Sequence, residues 1–371
     1  MHLSIHNLFR YVICKKRGSV LLNILLLPLT LASYIFLGLV EARRFFYRIG
    51  LLKSNRLNCK VISIGNLTVG GTGKTPFVIF LAERLKQRGR SVAVITRGYK
   101  AGSNEPISLV SDKEGLLLAP SDAGDEAFLI ASRLKGVPVI VGKNRHLAGE
   151  YALRNFLVDT IILDDGFQHL SLKKDMEVLL IDATDPEGNG YMLPRGILRE
   201  PFSGLSRSHA IILTRADQTD RLDAAVGNIR RYSESIRIYY SRFTPVGLKE
   251  IRSGAEEGIG HIKGKRLLLF SGIGNPKSFS QMIGRLGGEV VKEMIFPDHH
   301  SYLIRELEQI ELFASRNKVD LIVTTEKDGV KIAEMPFGYL PVWALRVDLI
   351  LEDQDKLEEL ILGEKRGIDT Y

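Results

Sequence analysis

A glycine-rich stretch that follows an apolar run is the part of this chain best suited to hold a phosphate. It reads Gly65, Asn66, Leu67, Thr68, Val69, Gly70, Gly71, Thr72, Gly73, Lys74, Thr75. Backbone N–H groups without bulky side chains can surround a phosphate, and the dipole of a following helix adds attraction. In a loop of this kind, the lysine reaches the β- and γ-phosphates of a nucleotide and the threonine hydroxyl binds Mg²⁺. We therefore predict a nucleotide site from Thr68 to Thr75.

One position departs from the usual P-loop pattern, GxxxxGK[ST], which has a glycine where this chain has Thr68. Gly70 and Gly71 can supply the flexibility instead. The alternative is a glycine-rich turn with an incidental lysine. We favour the phosphate loop, because an apolar run, this motif and a helical stretch in succession rarely arise by chance.

Carboxylates that could bind the metal follow a second apolar run, Ile161–Leu163. A P-loop enzyme needs an acid at the carboxyl end of a neighbouring strand, where the edge of the sheet meets the ligand. Asp164 has this position and is the predicted metal ligand. The alternative is that Asp164 and Asp165 only begin the turn before Gly166.

Two further groups could act as acids or bases, but their surroundings in the sequence leave the role open. Asp125 and Glu126 precede an apolar helical stretch, where an aspartate commonly caps a helix and acids fill its first turn. Asp298 and His299 follow the apolar run Met294–Phe296, and a histidine beside an acid can form a proton-transfer pair. A capped loop with a structural histidine fits this second pattern as well.

The elements that must hold these residues alternate between short apolar runs and helical stretches, which is typical of a parallel α/β sheet. The runs are apolar without alternation, as expected for strands covered on both faces. With a helix from about Pro76 to Arg88, the predicted fold is an α/β P-loop NTPase-type parallel sheet flanked by helices. Its predicted strands are Lys60–Ile64, Ser91–Thr96, Val137–Val141, Thr160–Leu163, Glu177–Asp182 and Ala210–Thr214.

The same alternation restarts after about residue 235, which predicts a second, smaller α/β domain. Its predicted strands are Arg266–Ser271, Glu289–Ile295, Asp320–Thr324 and Pro341–Arg346. The predicted organisation is therefore an N-terminal membrane-associated hydrophobic helix in residues 1–53, a P-loop domain in residues 54–235 and the second domain in residues 236–371.

The net charge of +8 is concentrated at the N-terminus, since residues 1–53 contain eight Lys or Arg residues and one acid. The rest of the chain is close to neutral. A nucleic-acid binder would carry its basic residues over the folded domain, so nucleic acid is not an expected partner. Cations beside apolar sequence instead predict an anionic membrane surface, to which each contributes about 1 kcal/mol.

The uncharged run from Val20 to Val40 is long enough to cross a bilayer as a helix, although Pro28, Ser33 and Gly38 interrupt it. The next stretch, Glu41–Lys53, is amphipathic and basic, which is typical of a helix in the membrane interface. We favour an interfacial anchor; a single spanning helix and a buried core helix are the alternatives.

The motifs, taken in order, resemble those of the tetraacyldisaccharide 4'-kinase family. Each motif alone is moderately specific, whereas the ordered set is highly specific. Besides the phosphate loop, the set comprises Thr96–Tyr99, Gly124–Glu126, Asp164–His169, Leu193–Gly196, Leu198–Glu200, Phe296–His300 and Thr324–Asp328.

This resemblance implies a kinase that uses ATP and Mg²⁺ and is peripheral or monotopic on the cytoplasmic face of the bacterial inner membrane. The implied acceptor is the 4'-hydroxyl of the lipid A precursor tetraacyldisaccharide 1-phosphate, and the product is lipid IVA. Such a lipid does not leave the bilayer, which gives the basic, apolar N-terminus a reason.

The resemblance also implies roles for individual residues. The catalytic base of the family falls on Asp125, and its paired histidine on His299. The metal ligands implied are Asp164 and, as further candidates, Glu126 and Asp165. Residues implied near the phosphates or the acceptor are Lys74, Arg199, Asn66, Arg97 and Tyr99.

Two rival functions belong to other classes. A membrane-associated GTPase switch is suggested by Thr214–Asp217, which is similar to the guanine-reading [NT]KxD motif but has Arg215 in place of lysine. A non-catalytic ATP-binding membrane adaptor is the other rival. An adaptor would yield no phosphorylated lipid.

Overall fold

The computed structural model describes residues 24–99, 101–103, 105–336, 338 and 340–363. The part of the predicted N-terminal segment that precedes residue 24 lies outside the described residues. The α-helices, in chain order, are α1 (Leu27–Arg48), α2 (Lys74–Gln87), α3 (Pro120–Ala123), α4 (Asp125–Arg133), α5 (Arg145–Phe156), α6 (Leu222–Arg230), α7 (Pro276–Arg285), α8 (Ile304–Arg316), α9 (Glu326–Ile332) and α10 (Gln354–Leu362).

The strands include every one that the apolar runs predict. In chain order they are β1 (Lys60–Gly65), β2 (Val92–Thr96), β3 (Ser108–Ser111), β4 (Val139–Val141), β5 (Thr160–Asp164), β6 (Met176–Asp182), β7 (Ala210–Thr214), β8 (Arg237–Glu250), β9 (Glu256–Glu257), β10 (Arg266–Ser271), β11 (Glu289–Ile295), β12 (Leu321–Thr325) and β13 (Val342–Leu351).

The first compact unit comprises Met1–Arg97, Asn144–Arg242 and Ile350–Tyr371. Its strands are all parallel and lie in the order β8-β7-β6-β1-β5-β2, with the first residues of β8 paired to β7. Ile62 and Ile64 of the central strand β1 are fully buried. Each such side chain contributes about 1.5–3 kcal/mol of transfer free energy, so the phosphate loop emerges from a rigid core.

Helix α1 packs one side against this unit and exposes the other. Phe36, Leu37 and Val40 contact the buried cluster that contains Leu179 and Ile211. One continuous helix, Leu27–Arg48, thus includes parts of both N-terminal stretches seen in the sequence, before and after Glu41. Among the residues that the structure describes, no helix is long and apolar enough to cross a membrane.

Helix α10, near the C-terminus, completes the same unit. Leu357, Ile361 and Glu358 are buried, and the Glu358 carboxylate accepts hydrogen bonds from two arginines, one in α2 and one just after its last residue. Arg84 Nε donates to one carboxylate oxygen, and Arg88 Nε donates to the other at 2.7 Å. The C-terminal helix is therefore tied by charge to the helix that starts at the phosphate loop.

The second compact unit comprises Gly98–Lys143 and Phe243–Leu349. Strands β11, β10, β12 and β13 pair in parallel in that order, while β3 and β4 form an antiparallel pair. Successive residues of β10 reach opposite faces, because Phe270 packs with Ile310 of α8 and Leu269 packs with Phe279 of α7. This is a sheet covered by helices on both faces, as the sequence predicts.

Two features differ from the sequence-based expectation. The long strand β8 runs through the predicted domain boundary near residues 230–245, and its Pro245 and Gly247 are residues that argue against a strand interior. The compact units also interleave along the chain, since residues 98–143 join the second and residues 350–371 the first. The predicted domains, 54–235 and 236–371, are continuous segments.

Candidate active site

The phosphate loop connects the end of β1 to the start of α2. Gly70 (φ 122°) and Gly73 (φ 87°) adopt backbone conformations that a side chain would strain. The loop is held from the end of β7, where Thr214 Oγ1 donates to the Thr72 carbonyl at 3.0 Å and Arg215 Nη2 donates to the Gly71 carbonyl at 2.9 Å. The backbone is thus fixed at the N-terminus of a 14-residue helix, a place suited to an anion.

Lys74 is the first residue of α2 and points to two polar partners. Its Nζ donates to Asn66 Oδ1 at 3.2 Å and lies 3.6 Å from Asp165 Oδ1. Asn66 is fully buried and donates through Nδ2 to Thr72 Oγ1 at 2.9 Å. Asn66 therefore links Lys74 to the side chain of Thr72 in the loop.

Asp165 forms a two-pronged ion pair with Arg199. The distances are 2.9 Å from Nη1 to Oδ2 and 2.8 Å from Nη2 to Oδ1, and Arg199 Nη2 also donates to the Asn66 carbonyl at 3.1 Å. Burial alone would raise the pKa of Asp165, but the charges of Lys74 and Arg199 and the Arg199 hydrogen bonds lower that pKa below its ordinary value. Asp165 is therefore a carboxylate clamped between two cations.

Asp164 ends the buried strand β5 and is 2% exposed. Thr75 occupies the first turn of α2 in the same unit. A hydroxyl and a carboxylate are the hard oxygen ligands that Mg²⁺ prefers, with water and substrate phosphates completing its shell. The donor chemistry at these two positions fits a magnesium ion.

A second cluster of charged groups lies in the second unit, around the start of α4. Glu126 Oε1 is 2.9 Å from Lys327 Nζ and 3.8 Å from His299 Nε2. The Tyr99 ring meets the His299 ring edge-on with centroids 4.9 Å apart. Asp125 Oδ2 lies 4.0 Å from Lys331 Nζ.

Lys327 determines which nitrogen of His299 carries the proton. Its Nζ lies 3.2 Å from His299 Nε2, and an ammonium only donates, so Nε2 accepts. Burial and then the charge of Lys327 lower the pKa of His299, which favours the neutral ring. Burial alone would lower the pKa of Lys327, but the charges of Glu126 and Asp298 raise that pKa above its ordinary value.

The buried carboxylate of Asp328 holds the residues of this second cluster in place through hydrogen bonds. It is fully buried, and its Oδ2 accepts hydrogen bonds from the Gly272 N–H at 2.9 Å and Thr325 Oγ1 at 2.8 Å. Its Oδ1 is 2.8 Å from Lys331 Nζ. The Gly272 carbonyl in turn accepts from the His299 N–H at 3.2 Å. Asp328 therefore fixes the backbone that carries the histidine.

The structure divides the sequence-predicted residues between the two units. The first unit brings together Lys74, Asn66, Asp165 and Arg199 and also contains Arg97, Asp164 and the rest of the phosphate loop. The second unit brings together Tyr99, Glu126 and His299 and contains Asp125.

Sequence reasoning missed the role of two lysines, Lys327 and Lys331. The segment Thr324–Asp328 stands out in the sequence as a motif after a strand. That position at the carboxyl end of β12 was the available signal, since polar residues at such ends face ligands. Lys327 and its partner Glu126 are 201 residues apart along the chain, so the contact leaves no local pattern.

His169, which follows the Asp164–Gln168 segment, gives the chain a pH-dependent stability. Burial, followed by the charges of Arg145 and Lys174, lowers the pKa of His169 from 6.5 to about 4. The unfolded chain therefore takes up this proton at higher pH than the folded chain does. We expect the free energy of unfolding to fall as the pH drops from 6.5 to about 4.

Denaturation by urea at about pH 7 and about pH 5 measures this effect. The decline should be smaller in His169→Asn than in the parent protein. His146→Asn is the matched control, because that ring lies on α5 beside Glu150, and it should keep the decline of the parent. An equal decline in His169→Asn would contradict the assignment.

The sequence of this chain is similar to those of one family of kinases. The family model described as tetraacyldisaccharide-1-P 4'-kinase, LpxK, matches residues 22–365. The tetraacyldisaccharide 4'-kinase of Halothermothrix orenii is 39% identical over 323 residues, which are 84% of each chain. That of Syntrophus aciditrophicus is 37% identical and covers 88% of this chain and 92% of its own.

A solved structure extends this similarity to three dimensions. The crystal structure of LpxK from Aquifex aeolicus in complex with ATP superposes with a TM-score of 0.72 at 32% identity. The match covers 91% of this chain and 98% of that one.

Proposed function

Because the chain belongs to the tetraacyldisaccharide-1-P 4'-kinase family, we propose that it transfers the γ-phosphate of ATP to the 4'-hydroxyl of tetraacyldisaccharide 1-phosphate. The product is lipid IVA. The observation that carries the proposal is the phosphate loop, in which Lys74 extends from a helix N-terminus beside Asn66 and Asp165. Such a loop acts by positioning phosphates and neutralising their charge.

ATP is held by the loop from Thr68 to Thr75, with Lys74 at the β- and γ-phosphates. Mg²⁺ would be held by Thr75 and Asp164, with Asp165 as a further candidate ligand, and when bound it would neutralise charge on the phosphates. Arg199 keeps the Asp165 carboxylate beside Lys74 and places a second cation near the phosphate loop.

Asp125 accepts the proton of the attacking 4'-hydroxyl. The hydroxyl oxygen forms a bond to the γ-phosphorus, the bond from that phosphorus to the bridging oxygen breaks, and ADP leaves. His299 assists as the paired histidine. Lys327 keeps Nε2 of His299 unprotonated, and that nitrogen lies 3.8 Å from Glu126 Oε1. Asn66, Arg97 and Tyr99 are proposed to contact the phosphates or the sugar headgroup.

Helix α1 rests on the cytoplasmic face of the inner membrane, where the acceptor lipid is held. An apolar stripe of Leu27, Leu31, Ile35 and Leu39 repeats at every fourth position, and each side chain is at least 60% exposed. Such a stripe on a helix beside cations favours the interface between lipid headgroups and acyl chains. Nucleic acid has no part in the proposal.

Removal of the stripe should release the protein from lipid. In the variant Leu31→Gln, Ile35→Gln and Leu39→Gln, the fraction bound to anionic vesicles should fall at least about tenfold, because about 1.4 kcal/mol or more of apolar burial is lost. Glutamine keeps the helix propensity. The packed side, with Phe36, Leu37 and Val40, is unchanged.

Sedimentation with phosphatidylglycerol vesicles gives the bound fraction. Leu157→Asn is the control, because Leu157 is 84% exposed in the same unit but lies outside α1. It should bind vesicles as the parent does. If the triple variant also binds as the parent does, the stripe is not the membrane contact.

The rival GTPase switch loses its main support in the structure. Arg215 is buried, pairs with Asp182 and donates to the Gly71 carbonyl, so it serves the phosphate loop. A guanine-reading residue would instead have to be available to a base.

The direct test is incubation of the full chain with ATP, Mg²⁺ and the disaccharide lipid in vesicles. A new phosphate at the 4' position, detected by mass spectrometry, is the expected result. An excess of unlabelled ATP should suppress transfer from radiolabelled ATP far more than the same excess of GTP does. If no phosphorylated lipid forms, the kinase proposal fails.

A further inference from the structure

Ser33 is a buried polar residue in a helix whose opposite side is exposed. It is 3% exposed, and its hydroxyl bridges α1 to a loop far away in sequence. Ser33 Oγ lies 2.8 Å from the Met192 carbonyl, to which it donates, and accepts from the Arg195 N–H at 3.0 Å. The carbonyl of Leu29, one turn earlier, is a second acceptor at 3.0 Å.

The loop that Ser33 contacts, residues 189–199, is internally hydrogen-bonded and is here called the bridging loop. The Gly196 N–H donates to the Met192 carbonyl at 2.8 Å, and the Leu193 N–H donates to the Leu198 carbonyl at 2.9 Å. Asn189 Nδ2 donates to the Arg195 carbonyl at 3.0 Å. A displacement at one end of such a loop is therefore passed to the other end.

The far end of the bridging loop is hydrogen-bonded to the phosphate loop. The Val69 N–H donates to the Ile197 carbonyl, and the Arg199 N–H donates to the Leu67 carbonyl, both at 2.7 Å. Arg199 is the residue whose guanidinium clamps Asp165 beside Lys74. The hydrogen bonds at its two ends thus make the bridging loop a connection from α1 to the phosphate loop and Arg199.

We propose that Ser33 is a positioning residue: by holding the bridging loop against α1, it fixes the positions of Arg199 and of the phosphate loop relative to α1. The inference rests on the proposed function, in which α1 lies on the lipid surface. A hydroxyl suits this role because it both donates and accepts, so it holds Met192 and Arg195 at once. The apolar contacts of Phe36, Leu37 and Val40 hold α1 on the unit independently of Ser33.

The test compares Ser33→Ala with a matched change on the same helix. Thr30→Ala is the control, because Thr30 Oγ1 donates to the carbonyl of Leu26, the residue just before α1, at 3.0 Å and so makes a local bond rather than one to the bridging loop. With acceptor lipid in vesicles, kcat should fall about tenfold in Ser33→Ala, the scale for losing a buried hydrogen-bonding group, and stay within about twofold of the parent in Thr30→Ala. Vesicle binding should be unchanged in both.

A double-mutant cycle with Arg199→Lys separates positioning from general destabilisation. If Ser33 acts through Arg199, Ser33→Ala should lower kcat by less than about twofold once Arg199→Lys is present. Effects that multiply, or a Ser33→Ala kcat equal to that of Thr30→Ala, would overturn the inference. All rates are compared well below the melting midpoints.

Ser33→Cys keeps a small buried side chain and serves if Ser33→Ala does not fold. The thiol forms weaker hydrogen bonds than the hydroxyl, so the kcat of Ser33→Cys should lie between those of Ser33→Ala and the parent. If Ser33→Ala gives no protein, the kcat of Ser33→Cys should be lower than that of Thr30→Ala. A kcat for Ser33→Cys equal to that of the parent would overturn the inference. A parent protein that makes no phosphorylated lipid would refute the kinase function itself, which is a separate outcome.

Discussion

Replacement of Asp125 by asparagine should lower kcat at least about a hundredfold, the scale for a positioned general base. The amide has nearly the shape of the carboxylate, so it can keep the place at the start of α4 near Lys331. It cannot accept the proton of the attacking hydroxyl, however. ATP binding should stay close to that of the parent, because Asp125 is proposed to act on the acceptor.

Steady-state kinetics with ATP, Mg²⁺ and vesicle-borne acceptor lipid measure this effect, and fluorescent nucleotide titration measures binding. Asp122→Asn is the matched control, because Asp122 is an exposed aspartate in the preceding short helix α3. Its kcat should equal that of the parent. Full activity of Asp125→Asn would remove Asp125 from the role of base.

Replacement of Lys74 by alanine should also lower kcat at least about a hundredfold, as expected for a preorganised charge at a transferring phosphoryl group. The ammonium near Asn66 and Asp165 is the group proposed to meet the β- and γ-phosphates. Without it, the negative charge that develops on the leaving ADP has one cation fewer. The KM for ATP should rise as well, because the ground state loses the same contact.

Lys86→Ala is the control for this variant, since Lys86 is an exposed residue in the last turn of the same helix, α2. It should leave both kcat and KM unchanged. A Lys74→Ala protein that keeps the kcat and KM of the parent would show that this lysine does not act on the phosphates. The same measurement on GTP would report any shift in nucleotide preference.

The sequence predicted those elements whose burial or function leaves a pattern within a short stretch of residues. Strands such as β1 and β5 are buried on both faces, so continuous apolar runs reveal them, and a glycine-rich turn between β1 and α2 carries its own signature. Strand β8 escaped because charges, Pro245 and Gly247 interrupt its pattern. Its pairing depends on neighbours that a local window does not contain.

The site shows the same limit. Residue types and motif order pointed to Lys74 and Asp165, and the resemblance added Arg199. No local pattern shows, however, that Arg199, 34 residues beyond Asp165, pairs with that carboxylate. For Ser33, by contrast, the sequence indicated no role. In the sequence it only weakens an apolar run, whereas in the structure its hydroxyl joins α1 to the bridging loop. A polar residue inside an apolar helix is ambiguous until its partner is known.

The discontinuous first unit constrains how the chain can mature on the ribosome. Its sheet contains β1 and β2 from the early part of the chain, yet helix α10, with Glu358 bound to Arg84 and Arg88, is synthesised long after them. Folding of the first unit therefore cannot finish until α10 has been synthesised, unlike that of domains that are continuous along the chain. The apolar surface that Leu357 and Ile361 will cover stays open until α10 is made, and nascent chains are vulnerable to aggregation during that interval.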